Sequence, residues 1–253
     1  MTTRSSPPER SEFVLETVSG VRVLPEIKGG VLAGRNAFGE VYTLLYEHFG
    51  PQGWWPGETD IEIVVGAILT QNTNWTNVTK AIDNLRDAGV LSFPDLLDLA
   101  EEDLAYRIRP SGYYNIKARR LKNLLFMIRD RYDGDLNRLL SDETRQARAN
   151  LLSVQGIGPE TADSILLYAG RHPVFVVDTY THRIFSRHGL IAEESDYHSI
   201  QEEFEQRLPR DIALYNEYHA LLVMLGKHFC KKTKPLCGQC PIREVNGMNA
   251  AVD

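Results

Sequence analysis

Apolar residues recur at helical spacing along most of the chain. Val41, Leu44, Leu45 and His48 share one face of a helix expected over about 37–48, which PQGWWPG then breaks. Asp60 is placed to cap a helix through IEIVVGAIL. A further helix is expected over 73–85, and Ser92 to cap a short one with Pro94 near its start. Another short helix falls at 101–107. Tyr113 to Tyr132 reads as a long amphipathic helix, with Ile116, Arg119, Arg120, Leu121, Leu124, Leu125 and Ile128 alternating between faces. Helices near 143–152, 159–169, 179–187, 196–207 and 211–225 complete the pattern. The strand-like run PVFVVD, 173–178, is short and reads as an extended connector. Residues 1–10 are polar and charged with few apolar anchors and read as disordered, and the Gly-rich stretch 11–35 is ambiguous. The expectation is an all-α fold, with short loops joining helices into a compact bundle.

Composition narrows this. The 253 residues, 43% of them hydrophobic, are enough for a real core. No 18-residue apolar run marks a membrane span, and MTTRSSPPER lacks a signal-peptide core, so a cytoplasmic location is expected, with no membrane partner. The net charge of −6 argues against polyanion binding by the whole surface. The charge is uneven, however. Arg107, Arg109, Lys117, Arg119, Arg120 and Lys122 form a basic run with no acid, and Lys227, Lys231, Lys232 and Lys234 form another. Either run is a solvated face or a local site for a phosphate backbone. Cys230, Cys237 and Cys240 lie within eleven residues, which suits a metal site in a reducing compartment better than a disulfide framework.

In LLSVQGIGPETADSILLYA, residues 151–169, one helix ends and another begins across a glycine turn. Gly156 and Gly158 permit positive φ and close backbone approach, and Pro159 suits a first helical position. A helix start of this kind offers free N–H groups and a positive dipole end to a phosphate oxygen. On spacing alone an ordinary helical hairpin with glycine turn residues is the favoured reading. Asp178, which ends PVFVVD before TYTHRI, is a good helix N-cap.

Taken together, LLSVQGIGPETADSILLYA and VVDTYTHRI resemble the helix-hairpin-helix and following aspartate of the endonuclease III superfamily of DNA glycosylases, over roughly residues 37–245. WWP (54–56), GAILTQNTNW (66–75), RPSGYYNIKARRL (109–121) and GIGPETADSILLYA look most like its 3-methyladenine DNA glycosylases. The resemblance implies two helical domains flanking a cleft. One is a six-helix barrel over 57–170 ending in the hairpin. The other combines 36–56 with 171–253, and 1–35 forms an N-terminal extension. It also implies base excision repair on double-stranded DNA by a monomer that flips a damaged base into the cleft.

Residue by residue, Asp178 matches the catalytic aspartate. Gln71 matches a glutamine that fills the hole left by the flipped base, and Gly156, Gly158, Pro159 and Thr161 fall in the DNA-gripping hairpin. Trp55 and Trp75 match two aromatics that sandwich the base. An indole attracts a cationic alkylated purine beyond plain stacking, although aromatics at these positions also serve as core. Glu160 stands where bifunctional relatives carry a lysine nucleophile. A carboxylate forms no Schiff base, so hydrolysis without a lyase step is expected. The backbone carbonyls of Leu152, Val154 and Ile157 match positions that hold a monovalent cation. Cys230, Cys237 and Cys240 match three ligands of a [4Fe–4S] loop, but the fourth position is Asn246, a poor substitute for a thiolate. That leaves a cluster with an unusual fourth ligand, another metal or a relic, with a cluster favoured. The alternatives are a glycosylase for oxidised or mismatched pyrimidines, and a catalytically idle DNA-binding or iron–sulfur module.

Overall fold

The computed structural model describes residues 36–245, together with Thr17–Val18 (β1) and Val21–Arg22 (β2). The two strands pair antiparallel, Thr17 opposite Arg22 and Val18 opposite Val21. The remainder of residues 1–35, expected to be a partly disordered extension, lies outside the described residues, as do 246–253.

Residues 36–245 are helical with no strand among them. The chain runs through α1 (Ala37–Phe49), α2 (Asp60–Leu69), α3 (Trp75–Asp87), α4 (Phe93–Asp98), α5 (Glu101–Arg107) and α6 (Tyr114–Tyr132). It continues through α7 (Leu136–Leu140), α8 (Thr144–Leu152), α9 (Pro159–Ser164), α10 (Thr179–Arg187), α11 (Tyr197–Arg207) and α12 (Ile212–His228).

Most helix starts follow from local chemistry. Asn36, Ser92, Asp178, Asp196 and Asp211 each accept a backbone N–H of the first turn with a side-chain oxygen. Two expected starts move. Thr59, not Asp60, caps α2, and Asp60 becomes an acidic first-turn residue. Asn74 caps α3, which releases Thr73 to donate to the Ser111 carbonyl. The expected helix over 159–169 holds as α9 only to Ser164 and then widens into a π turn over Ile165–Ala169.

The π turn is where two groups of helices meet, because it packs on both α2 and α12. Helices α2, α3, α5 and α6 pack among themselves, whereas α1 packs on α11 and α12, distant in sequence. Phe38 of α1, Phe185 of α10 and Phe204 of α11 form one aromatic core, and Phe175 stacks on Phe204 with ring centroids 4.0 Å apart.

Phe175 belongs to the PVFVVD run, which is an extended connector. Side chains satisfy its backbone instead of a neighbouring strand. The Phe175 N–H donates to Glu205, the Gln201 amide donates to the Phe175 carbonyl, and the Val177 N–H donates to the Tyr197 hydroxyl at 3.4 Å. Buried Asp163 ties these groups to α8 and α9. It accepts two hydrogen bonds from Arg148 (2.7 and 3.0 Å), one from Tyr197 and one from Gln201 (both 2.8 Å). The segment that delivers Asp178 is therefore anchored at several points by α8, α9 and α11.

Candidate active site

Asp178 closes the connector and caps α10. Its Oδ1 accepts from the Thr181 N–H (2.7 Å) and Thr181 hydroxyl (3.0 Å), so one carboxylate oxygen is fixed by the cap. Its Oδ2 lies 3.6 Å from Nε2 of His219, which α12 contributes. Burial alone raises a carboxyl pKa, but His219 and Thr181 outweigh it and hold Asp178 below its usual value. The result is a buried carboxylate that stays ionised, suited to stabilising a developing positive charge.

His219 is itself oriented. Its Nδ1 pairs with the Tyr168 hydroxyl at 2.5 Å, and Tyr168 stands on the π turn. Burial, followed by the charge of Asp178, pushes the Tyr168 hydroxyl well above its usual range, so it remains a donor. The Tyr168 ring in turn packs on Trp55 with centroids 5.0 Å apart. Sequence reasoning found neither His219 nor Tyr168, because nothing in the helical pattern separates a site residue from a core one.

Glu160 lies in the first turn of α9. The residue is exposed, yet its carboxyl is pushed up to about 7. Partial burial is the main cause. The charge of Asp178 adds to it and His219 opposes it.

Trp55 and Trp75 come together, but not as a sandwich. Their rings meet edge to face, 5.0 Å between centroids and 86° between planes. A flat base between two parallel rings needs roughly 7 Å, twice a carbon–carbon contact distance. Trp54 fills the remaining side, 5.2 Å from each of the other two indoles. Packing three indoles and Tyr168 against one another buries more aromatic surface than an open slot would, which closes the slot expected from sequence. Trp55 also packs against α2, where a Cβ on Gly66 would meet its ring at 3.1 Å. The Nε1 groups of Trp54 and Trp55 are buried without a hydrogen-bond partner. Two surface grooves, one of about 780 Å³ beside Tyr106 and Arg109 and one of about 380 Å³ beside Arg148 and Glu205, include none of these residues.

Gln71 is not free at the helix end. Its amide donates to the Gly156 carbonyl (3.2 Å) and the Thr161 hydroxyl (2.9 Å), while Arg120 donates to its Oε1. Gly156 has φ +97° and lies directly beneath the Arg120 side chain. Gly158 differs from expectation. Its φ is −93° and no neighbour lies where a Cβ would project, so it requires neither positive φ nor close approach. No side chain caps α9 behind it, so its first-turn N–H groups have no side-chain acceptor. Of the three carbonyls expected to hold a cation, that of Val154 already accepts the Ile157 N–H at 3.0 Å.

The basic run is also partly spent inside the protein. Lys117 is fully buried and donates to the Leu69 and Ser111 carbonyls (2.8 Å each) and the Thr73 hydroxyl (2.7 Å). Burial, then the Arg120 charge, lowers its pKa to about 8. Lys122 is buried on the Leu96 and Leu97 carbonyls. A signal for Lys117 existed. It is four residues before Leu121 on the apolar stripe of α6, whereas Ile116, expected on a packing face, is 52% exposed.

Cys230 and Cys240 are buried and Cys237 is exposed. Burial raises the Cys240 thiol, and charge on Cys230 and Cys237 raises it further. Arg183 donates to the Cys230 carbonyl, and Arg187 to the Cys230 sulfur and the carbonyls of Lys231 and Lys232, so arginines of α10 hold the loop. Among the described residues no three His, Cys, Asp or Glu side chains are arranged to hold a metal, and Asn246 lies outside them. The donors present are three thiols, one short of the four-thiolate cradle of a [4Fe–4S] cluster. Among the described residues no helix is long and apolar enough to cross a membrane.

Residues 65–210 match the family model of the HhH-GPD superfamily base excision DNA repair proteins. A candidate DNA repair glycosylase of Methanocaldococcus jannaschii is 50% identical over 206 residues, covering 81% of this chain and 93% of that protein. Endonuclease III of Sulfolobus acidocaldarius is 32% identical over 182 residues, covering 72% of this chain and 78% of that one. The crystal structure of the Helicobacter pylori 3-methyladenine DNA glycosylase bound to 1,N6-ethenoadenine superposes with a TM-score of 0.66 at 29% identity, covering 76% of this chain and 98% of that one. An endonuclease III–DNA complex gives 0.71 at 21% identity, over 85% and 97% of the two chains, a likeness of fold. With a glycine hairpin, a capping aspartate and a helical fold arranged as described, the chain belongs to the HhH-GPD superfamily and is a DNA-binding glycosylase of base excision repair.

Proposed function

We propose that this glycosylase hydrolyses the N-glycosidic bond of alkylated purines, of the 3-methyladenine kind, without cutting the backbone. The observation that carries the reading is a continuous contact path, Trp75–Trp55–Tyr168–His219–Asp178, which joins an aromatic cluster to an ionised carboxylate. Indoles linked through Tyr168 and His219 to an ionised Asp178 suit a base that carries positive charge. The Helicobacter pylori relative, a 3-methyladenine DNA glycosylase, supports the same class.

In this reaction the C1′–N bond breaks and its electron pair leaves with the base, which neutralises the base's charge. The sugar becomes cationic beside Asp178. Water adds at C1′, and its proton passes to Asp178 and on to solvent. Glu160 cannot form a Schiff base, so no lyase step follows. Trp55 and Trp75 hold the flipped base once their edge contact opens. Gln71 leaves its hydrogen bonds on the hairpin to fill the hole. Gly156, Gly158, Pro159 and Thr161 grip the backbone, and the carbonyls of Leu152, Val154 and Ile157 would hold a monovalent cation that draws in a phosphate. The protein acts as a cytoplasmic monomer, as two helical subdomains around the site. No step runs through the cysteine loop.

Methylated DNA incubated with the protein tests this, with released bases identified by mass. Release of 3-methyladenine, abolished in D178N while duplex binding survives, is expected. Full activity in D178N would sink the mechanism. Equal loss in W75A on alkylated and pyrimidine lesions would favour endonuclease III-like specificity, and no release from any lesion an idle module.

A further inference from the structure

His219 is the unexplained group in the site. Its side chain is 9% exposed, its Nδ1 is taken by Tyr168, and its Nε2 is buried with no hydrogen-bond partner. That Nε2 lies 3.6 Å from Asp178 Oδ2, within ion-pair reach but beyond a hydrogen bond. An unpartnered buried polar atom has a cost that ordinary packing would remove, so its retention beside one carboxylate oxygen calls for a reason.

The geometry assigns His219 as a positioning residue for Asp178: held by Tyr168, it presents its Nε2 proton to Oδ2 and keeps the carboxylate ionised while base release builds positive charge on the sugar. The inference rests on Asp178 being the catalytic carboxylate.

A Tyr168 hydroxyl that donates to Nδ1 assigns the ring proton to Nε2. Thr181 already fixes Oδ1, so the cap and the histidine address different oxygens of one carboxylate. Oδ2 retains a second lone pair for water. The elements converge from separate parts of the fold, with Tyr168 on the π turn, Asp178 at the start of α10 and His219 on α12. The titratable groups that face His219 are Asp178, Tyr168 and Glu160 from α9. This is the arrangement in which a second residue, itself hydrogen-bonded, orients and tunes the group that does the chemistry.

The test is the pH profile of base release from dimethyl sulfate-methylated duplex DNA, at kcat/KM, for wild type, H219F, H219Q, Y168F and D178N. H219F removes the proton donor and keeps a ring. Asp178 then loses support for its charge, so the acidic limb moves up by about one pH unit and release at that limb falls at least tenfold, with affinity for an abasic duplex unchanged. H219Q, whose amide nitrogen reaches toward the position of Nε2, falls between wild type and H219F. Y168F moves the limb in the same direction by less, and it decides the matter should H219F fail to fold. A merely structural role for His219 lowers activity without moving the limb. An unmoved limb in H219F, or in Y168F where H219F does not fold, would overturn the assignment. If D178N is inactive and the limb does not move, only this inference fails. If D178N keeps full activity, the catalytic reading of Asp178 fails and this one with it.

Discussion

Gly156 has φ +97°, and a methyl on its Cα would sit 2.3 Å from Cγ of Arg120 and 2.8 Å from its Cδ and Nε. Two costs follow for G156A. Holding alanine in left-handed backbone costs about 1–2 kcal/mol. Arg120 must also swing away, which forfeits its charged hydrogen bond to Gln71, about 1.5–3 kcal/mol where such a bond is buried and less at this partly open site. The expected loss is about 2–4 kcal/mol in urea unfolding, with duplex affinity reduced as Gln71 and the hairpin lose their common anchor. The clash is with a side chain, so a double-mutant cycle isolates it. In R120A the obstacle is gone, and adding G156A should then cost only the backbone strain. The double variant is expected to be more stable than the sum of the singles by at least about 1 kcal/mol. Additivity within about 0.5 kcal/mol would show that Arg120 does not rest on Gly156, and the link between hairpin and Gln71 would fall with it.

Two further predictions concern Glu160. Its carboxyl is raised from 4.5 to about 7, so its contribution to stability is fully present below pH 4.5 and is lost as the pH rises through 7. E160Q should therefore match wild type in Tm near pH 4.5 and exceed it above pH 7, and a Tm difference independent of pH would contradict the cause assigned here. E160K places an amine beside Asp178, and borohydride should trap a covalent adduct with lesion DNA that wild type does not form. Absence of the adduct would count against the match between Glu160 and the lysine of strand-cutting relatives.

Much of the secondary structure was legible because its causes are local. Asn36, Ser92, Asp196 and Asp211 start helices with oxygens that reach amides three residues on, so a short window contains the whole interaction. α7 was missed because it is a five-residue helix between turns, too short to show a period. Asp178 was legible for a similar reason, as a cap following an apolar run.

What only the tertiary structure decided involves partners far apart in the chain. Lys117 counts as a surface charge until α2 and the Ser111 turn bring three acceptors to it. PVFVVD has the composition of a strand, but with Glu205, Gln201 and Tyr197 supplying its hydrogen bonds it pairs with none. The indoles of Trp54, Trp55 and Trp75 have the right identities for a base pocket, yet their close packing against one another closes it. His219 lies forty-one residues beyond Asp178, and only the packing of α12 against α10 and the π turn gives it a role. The sequence by itself determined which elements form and which chemistry is available, because caps, turns and periodicity act over a few residues. Which charges are buried, which rings touch and which carboxylate gains a partner depended on long-range packing, since burial and proximity are properties of the assembled chain.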